Sequence, residues 1–274
     1  MAKGIFDVIQ EMQAGGNAFA VATVVETVGS VSAKTASKAV IDHQGRVLAG
    51  WVGGGCAEST TCSKALECME SGETAVIDID LNDEMLGAGM PCGGSMRVYV
   101  EPVLPKPTLW IMGHGRVAEC LCLMGDLLGL KVVVNDPGVA WQQYPDASQL
   151  ITDDLDYEQL RPARGDFVVI ATQHKGDHES MKRALSSQAD YIALIASRKR
   201  SRLVLDYLRQ EGFGGDEIAR VMAPSGLDLG ARTPEEIALC VISEIVLVRR
   251  GGSGLRMREK LRQEKAQTRL AGAR

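Results

Sequence analysis

Two cysteines in the first hundred residues lie beside runs of glycine, an arrangement that suits thiol chemistry. The run Gly53–Gly55 precedes Cys56, and Gly93–Gly94 follows Cys92. The first run frees the backbone at a strand-to-helix turn, so Cys56 is expected at a helix N-terminus, where the helix dipole favours the nucleophilic, metal-binding thiolate. Glu58, in the first turn of that helix, is a candidate proton acceptor or a residue that balances the dipole. We interpret these three side chains as candidate catalytic groups; the alternative is that the cysteines are small apolar residues beside glycine turns.

A second motif suits phosphate chemistry. Residues 113–118 read GHGRVA and fit the pattern G-x-G-x-x-G/A, after the apolar run Thr108–Met112 and before a helical pattern. Asp136 follows a further apolar stretch, about 20 residues beyond the glycines. In such a unit the glycines allow a tight turn and close approach of a pyrophosphate, and the helix N-terminus attracts the anion. The pattern predicts a dinucleotide site in which Asp136 binds a ribose 2′-hydroxyl; the alternative is a Rossmann-like unit that binds no nucleotide.

Polar residues also follow two later strand patterns. Residues 166–172, DFVVIAT, predict a buried strand that leads to His174 and Asp177, and Ser197-Arg198 follow the next strand. Because the carboxyl ends of parallel strands meet at one edge of a sheet, we expect these residues to converge on the glycine turn. The candidate cofactor-binding residues, which include two glycines before Cys56, are Gly54, Gly55, Gly113, His114, Gly115, Arg116, Val117, Asp136, Thr172, His174, Asp177, Ser197 and Arg198.

The elements that must position these groups fall into two patterns. The first hundred residues mix helix and strand patterns, and the following segment alternates strands with helices, including short helices at 154–160 and 216–221. This predicts an α/β chain with an N-terminal α+β domain followed by a Rossmann-like, doubly wound parallel sheet. Three prolines between residues 102 and 107 form a stiff linker. The predicted divisions are a cysteine-bearing domain at 1–104, a dinucleotide-binding domain at 105–250 and a basic tail at 251–274.

Composition places further limits on function. Hydrophobic residues make up 45% of the 274, but no run of about 18 apolar residues and no signal-peptide h-region are present, so we expect a cytoplasmic protein with no membrane span. Seven cysteines are then better read as thiols than as a disulfide framework. The absence of C-x-x-C and paired-His spacing argues against a structural zinc site. The basic tail has no accompanying nucleic-acid-binding motif, so we expect a solvated, partly helical or disordered end and no nucleic-acid partner.

Six segments, taken in order, resemble the XdhC/CoxI family, the accessory proteins of xanthine dehydrogenase and carbon monoxide dehydrogenase. The resemblance covers about Val24 to Val248, and the pairing of GGGC with PCGG ahead of a Rossmann domain is its most specific feature. The segments are GGGCAE at 53–58, PCGG at 91–94, GHGRVA at 113–118, ATQHKGD at 171–177, IASRKR at 195–200 and PSGLDLGARTPEEIA at 224–238.

The resemblance implies a chaperone that binds the molybdenum cofactor, often as a molybdopterin dinucleotide, assists its sulfuration with a cysteine desulfurase, and delivers it to a molybdenum hydroxylase. It implies that Cys56 binds or relays sulfur or metal, that Cys92 assists, and that the chain is a homodimeric maturation factor rather than a multiple-turnover enzyme. Two other readings stay open. One is an FAD- or NAD-dependent oxidoreductase that uses the same crevice, and the other is a protein scaffold between a desulfurase and its client.

Overall fold

A computed structural model of the chain describes residues 3–81, 93–172 and 177–271. The candidate residues Cys92 and His174 lie outside these ranges. The chain divides into two compact units, Met1–Lys106 and Pro107–Arg274, which we call unit 1 and unit 2. None of the helices in the described ranges is long and apolar enough to cross a membrane.

Unit 1 is built on a five-stranded antiparallel sheet with the strand order β3-β2-β1-β5-β4. Helix α2 packs on β1, β4 and β5, whereas α1 packs on β2 and β3. The elements are α1 (Ile5–Ala14), β1 (Phe19–Gly29), β2 (Lys38–Asp42), β3 (Val47–Gly50), α2 (Cys56–Ser71), β4 (Ala75–Asp80) and β5 (Gly94–Val103).

The alternation of side chains along β1 explains why helices cover both faces of this sheet. Ala20 and Ala22 belong to the buried cluster that includes α2, whereas Phe19 belongs to a separate cluster with Val8 of α1. Successive residues of a strand point to opposite faces, so one strand can contribute to two apolar layers. Unit 1 therefore has its own core and positions α2, with Cys56 at its start, against the central strands.

Unit 2 is built on a six-stranded parallel sheet with helices on both faces, which confirms the predicted fold class. Its elements are β6 (Thr108–Met112), α3 (Arg116–Leu127), β7 (Lys131–Asn135), β8 (Gln149–Ile151), β9 (Phe167–Ile170), α4 (Asp177–Leu185), β10 (Tyr191–Leu194), α5 (Arg198–Gln210), α6 (Gly215–Ala219), β11 (Val221–Met222), α7 (Pro234–Arg250) and α8 (Met257–Ala271).

The strand order in unit 2 is β11-β10-β9-β6-β7-β8. Counted from β6 as the first strand, this is the 3-2-1-4-5-6 arrangement of dinucleotide-binding folds. Along the chain, β7 and β8 add on one side of β6, and β9, β10 and β11 then add on the other side. The strand order therefore reverses between β6 and β9. Ligands of such sheets bind outside the carboxyl ends of the strands at the point of reversal.

Two apolar layers hold the helices of unit 2 against the sheet. One layer joins Leu109 and Ile111 of β6 to Leu121 of α3 and Val241 of α7. The other layer, on the opposite face, joins Met112 to β9, α4, α5 and α6. The near-continuous apolar runs of β6, β7 and β9 follow from this arrangement, because strands covered on both faces bury all their side chains.

Two predicted short helices differ from the structure. Residues 154–160 form turns, because the Asp154 carboxylate accepts backbone N–H groups of Glu158 and Gln159, each at 2.8 Å, and because Tyr157 has a left-handed φ of 55° that an α-helix does not accommodate. The helix predicted at 216–221 ends at Ala219, and Val221–Met222 pairs with β10 as an edge strand. The basic tail contains α8, with Met257 and Leu261 exposed.

Candidate functional site

The glycine turn of unit 2 lies where β6 passes closest to the end of β9. A Cβ atom added to Gly113, whose φ is +120°, would lie 2.6 Å from the carbonyl carbon and oxygen of Ala171 and 2.7 Å from the amide nitrogen of Thr172. The Gly113 N–H donates to the Asn135 carbonyl at 3.0 Å, which fixes the turn to the end of β7. Only glycine fits here, since both the backbone angle and the neighbouring backbone exclude a side chain.

Gly113→Ala is expected to lower the free energy of unfolding of unit 2 by about 3 kcal/mol, from the combined cost of an unfavourable backbone conformation and overpacking against backbone atoms. Urea denaturation measures the change. Gly215→Ala is the matched control, because its added Cβ meets no atom within 4 Å, and we expect a change within about 0.5 kcal/mol. A loss below about 1 kcal/mol for Gly113→Ala would show that β6 and β9 separate easily at this end.

Gly115, the second glycine of the motif, is hydrogen-bonded to a buried tyrosine. Its N–H donates to the Tyr144 hydroxyl at 3.1 Å, and Tyr144 is 1% exposed. Burial raises the pKa of Tyr144 to about 12, although the hydrogen bond from Gly115 acts in the opposite direction. The tyrosine therefore stays neutral and accepts from the turn over the whole physiological pH range. Sequence reasoning did not identify it, because a single tyrosine between β7 and β8 has no motif around it.

Tyr144→Phe is expected to remove about 1 kcal/mol of stability at pH 8, since the hydrogen bond to Gly115 is lost. The folded-state pKa of Tyr144, about 12, exceeds its unfolded value of about 10. Its contribution to stability is therefore complete below pH 10 and falls as pH rises through 12, by at most about 1.4 kcal/mol per pH unit. Urea denaturation between pH 8 and 11.5 should show a flatter decline for the variant, and parallel declines would contradict this assignment.

His114 and Asp136 form a pair beside the turn. The His114 Nδ1 atom lies 2.8 Å from Asp136 Oδ1, and the same oxygen accepts the Gly138 N–H at 2.8 Å. Asp136 follows β7 directly, at the position predicted for a carboxylate that binds ribose. Its second oxygen, Oδ2, is the atom left for a ligand hydroxyl in this arrangement. The structure thus brings together the histidine and carboxylate that the sequence identified separately.

Arg116 and Val117 begin α3, as the motif predicts. The Arg116 guanidinium contacts Glu235 at 2.8 Å and Glu119 at 3.2 Å, so it joins the first turns of α3 and α7. Val117 packs against the apolar layer under α3. The side chain of Arg116 is therefore engaged at the surface, and the first turn of α3 offers its backbone N–H groups to an anion.

At the end of β9 the structure places a buried ion pair that the sequence did not predict. Arg200 contacts the Asp177 carboxylate, and the two side chains are 16% and 4% exposed. The Thr172 hydroxyl donates to the same carboxylate, and Arg200 Nη2 donates to the Thr172 carbonyl and hydroxyl oxygens, each at 3.2 Å. We call Thr172, Asp177 and Arg200 the buried triad. It connects the end of β9 to the starts of α4 and α5.

The first turn of α5 explains why Arg200, and not Arg198, enters this triad. Ser197 is the N-cap of α5, and its hydroxyl accepts the Arg200 N–H at 3.3 Å. Arg198 is exposed at the first helical position. Residues two apart on a helix face different directions, so only one of the arginines in the run 198–200 can point inward. In the sequence, the signal available for this choice was Ser197, which precedes Arg200 by the three residues typical of an N-cap and the amide it binds.

In unit 1 the glycines of the two candidate segments, Gly53 and Gly93–Gly94, lie at the same end of the sheet. A Cβ added to Gly53 would lie 3.8 Å from Met96 Sδ near the start of β5. Gly29, the last residue of β1, pairs with Gly94, and the Ser30 N–H donates to the Gly93 carbonyl. Gly53, which precedes Cys56, and Gly93, which follows Cys92 in the sequence, therefore both lie near the start of β5.

Cys56 is the first residue of α2 and is partly exposed, with open space around the preceding Gly54 and Gly55. Glu58 lies in the first turn and acts electrostatically on Cys62, one turn further along. Other thiols are less accessible: burial raises the pKa of Cys68 and Cys120, and that of Cys122 to about 12. Within the described ranges, no group of three or more His, Cys, Asp or Glu side chains is arranged to hold a metal ion.

Comparisons with known proteins match both units. Residues 12–80 match the model of the XdhC and CoxI family, and residues 109–245 match that of the XdhC Rossmann domain. The chain is 28% identical over 245 residues to the Escherichia coli protein YqeB, an alignment that covers 86% of this chain and 44% of that protein. It is 31% identical over 162 residues to a probable xanthine dehydrogenase component of Bacillus subtilis, covering 56% of this chain and 46% of the other.

A third relative matches over nearly its whole length. The molybdenum cofactor insertion chaperone PaoD of Escherichia coli is 22% identical over 276 residues, with coverage of 88% of this chain and 86% of the relative. The chain thus spans less than half the length of YqeB and of the Bacillus protein, but most of the length of PaoD. With one family model on each unit, and the second extending over the whole parallel sheet from β6 into α7, the chain belongs to the XdhC and CoxI family.

Proposed function

We propose that this protein is a maturation factor for molybdenum hydroxylases, and that unit 2 holds a molybdopterin-type cofactor in a dinucleotide form. The observation that carries the proposal is the glycine turn at the reversal point of a dinucleotide-type sheet, in a chain that matches a molybdenum cofactor insertion chaperone over most of its length. Membership of the XdhC and CoxI family supports the same role.

The residues at the turn fit the nucleotide half of such a ligand. Gly113 lets the end of β6 approach the residues after β9, because a Cβ there would meet the backbone of Ala171 and Thr172. Gly115, with a φ of +101°, ends the turn at the start of α3. The N–H groups at the start of α3 would bind the pyrophosphate, because they have no partners within the helix. Asp136 Oδ2 would accept a ribose hydroxyl. These residues orient the cofactor, and the redox chemistry belongs to the metal that it carries.

Unit 1 would supply the thiol chemistry. We propose that Cys56 carries sulfur from a cysteine desulfurase, or holds the metal during transfer, and that Cys92 assists. Open backbone around Gly54 and Gly55 supports access by a protein partner. Glu58 would exchange the proton that the thiol must lose before it reacts. The partners in this scheme are the desulfurase, the hydroxylase client and, for a dimeric assembly, a second copy of the chain.

Gly115→Asp is expected to abolish retention of pterin when the protein is purified from a molybdopterin-producing host. The new carboxylate would place negative charge where the pyrophosphate is proposed to bind, and the φ of +101° strains any side chain there. Fluorescence of the oxidised pterin and elemental analysis of molybdenum measure retention. Gly129→Asp is the matched control: Gly129 also has positive φ, its added Cβ meets no atom within 4 Å, and it follows the far end of α3. We expect the control to keep wild-type levels.

A wild-type preparation without pterin and without molybdenum would overturn the cofactor-binding proposal. The strand order and Asp136 would equally suit an FAD- or NAD-dependent oxidoreductase, which is the second candidate function. A yellow preparation, or a melting temperature raised by NAD(H) or FAD and not by pterin, would favour that candidate. The same purified sample distinguishes the two.

A further inference from the structure

A buried amide at the carboxyl end of β7 has one atom that receives no hydrogen bond from any residue that the structure describes. Asn135, the last residue of β7, is 1% exposed, and its Nδ2 group donates to Asp154 Oδ2 at 3.0 Å. A carboxylate can only accept, so this contact fixes which end of the amide is the nitrogen. The remaining atom, Asn135 Oδ1, has no hydrogen-bond partner among the residues that the structure describes. A buried acceptor in this state costs free energy unless a ligand or water donates to it.

Tyr157 lies over the same face of the sheet. Asn135 pairs in register with Met112, and Met112 and Tyr157 belong to one buried cluster that also includes Ile170. Neighbouring residues in register share a face, so Asn135 belongs to this face as well. Asp154, which binds the Asn135 amide, also accepts the N–H groups of the two residues after Tyr157. The carboxylate that binds the Asn135 amide thus also fixes the backbone just after Tyr157.

Tyr157 is 8% exposed and has a left-handed φ of 55°. A bulky side chain in this conformation is strained by about 1–3 kcal/mol, and such strain is concentrated at ligand sites. The hydroxyl feels the charges of Asp136, Asp154 and Asp177, which, with burial as the largest cause, raise its pKa. It is therefore a neutral donor and acceptor among carboxylates that follow β7, lie in the turn after β8 and begin α4.

These surroundings select the chemistry of a ligand. Carboxylates repel a phosphate, and an amide oxygen without a partner requires a donor. A sugar hydroxyl supplies a donor to the amide or a carboxylate, and also accepts from the tyrosine. Phosphate would bind instead at the N-terminus of α3, on the other side of the glycine turn.

We propose that Asn135 and Tyr157 form a subsite for the ribose hydroxyls of the nucleotide bound in unit 2, and that Tyr157 sets the preference for ribose over deoxyribose. The inference rests on the proposed function in requiring that unit 2 binds a nucleotide. The subsite extends the proposed function, because it assigns sugar specificity to two residues outside the glycine motif.

Titration calorimetry with the full-length chain tests the subsite, with CDP and GDP and their 2′-deoxy and 3′-deoxy forms as probes. We expect the wild type to prefer at least one ribonucleotide by about tenfold over a deoxy form, which is the effect of one good hydrogen bond. Tyr157→Phe should reduce this preference to about twofold or less while the melting temperature stays close to that of the wild type. Tyr207→Phe, the same change three turns into α5, is the control and should keep the wild-type preference.

Binding without any sugar preference in the wild type, or a preference that survives in Tyr157→Phe, would overturn the subsite and leave the proposed function standing. Failure of the wild type to bind either nucleotide series would remove the dinucleotide part of the proposed function together with the subsite. If a protein that binds no nucleotide still retained pterin, it would support a chaperone for a molybdopterin cofactor that carries no nucleotide. The outcomes for the two proposals are therefore distinguishable.

Discussion

Arg200→Met is expected to lower the free energy of unfolding of unit 2 by about 3–5 kcal/mol, the range for removal of one partner from a buried ion pair. The Asp177 carboxylate is 4% exposed. In the variant it would keep only the Thr172 hydroxyl as a donor from the buried triad. The substitution also leaves the Thr172 carbonyl without the guanidinium. Methionine fills much of the volume, so the loss reports charge and hydrogen bonding more than a cavity.

Urea denaturation followed by the fluorescence of Trp110 and Trp141, both in unit 2, measures this change. Arg198→Met is the matched control, because Arg198 is exposed two residues earlier on the same helix, and we expect a change within about 0.5 kcal/mol. The double change of Asp177→Asn with Arg200→Met should recover at least half of the loss, since no buried charge remains. A loss below about 1 kcal/mol for Arg200→Met would show that Asp177 finds another donor or takes up a proton.

Cys56→Ala is expected to abolish activation of the proposed molybdenum hydroxylase client while the stability of unit 1 stays within about 1 kcal/mol of the wild type. The thiol is partly exposed at the first position of α2 and lies beside glycines with open space around them. Alanine keeps the helix, because it has the highest helix propensity. The effect is therefore specific to the sulfur atom.

Client activity after incubation of the inactive hydroxylase with the variant, cofactor and desulfurase measures the effect. Cys62→Ala, a change in the same helix, is the control and should activate the client normally, since burial and neighbouring carboxylates raise the pKa of Cys62 and disfavour its thiolate. Pterin retention by Cys56→Ala should match the wild type. Full client activity with Cys56→Ala would eliminate the thiol mechanism and leave cofactor binding intact.

The sequence was sufficient to predict the fold class, for reasons that particular residues make clear. The apolar run Thr108–Met112, the glycine motif and the downstream Asp136 are all local, and local spacing is enough to define a strand, a turn and a helix in order. The start of α2 at Cys56 follows likewise from the glycines before it. Each of these features depends on neighbours within about 30 residues along the chain.

The missed features depend on contacts between distant residues. Tyr144 reaches Gly115 across 29 positions, and Arg200 reaches Thr172 across 28. The turn at 154–160 was predicted as a helix because its composition allows one, but Asp154 binds the amides that a helix would need. The strand at Val221–Met222 is too short for a periodic pattern and exists because β10 offers an unpaired edge.

All three residues of the glycine turn are fastened to different parts of unit 2 by the protein's own contacts: Gly113 to the Asn135 carbonyl, His114 to Asp136, and Gly115 to Tyr144. The conformational entropy of this segment is therefore lost during folding and not at the moment of association. A nucleotide should bind to a preformed turn, with little rearrangement of the backbone. Association should then be a single step whose observed rate rises linearly with ligand concentration, without a plateau set by a slow opening of the turn.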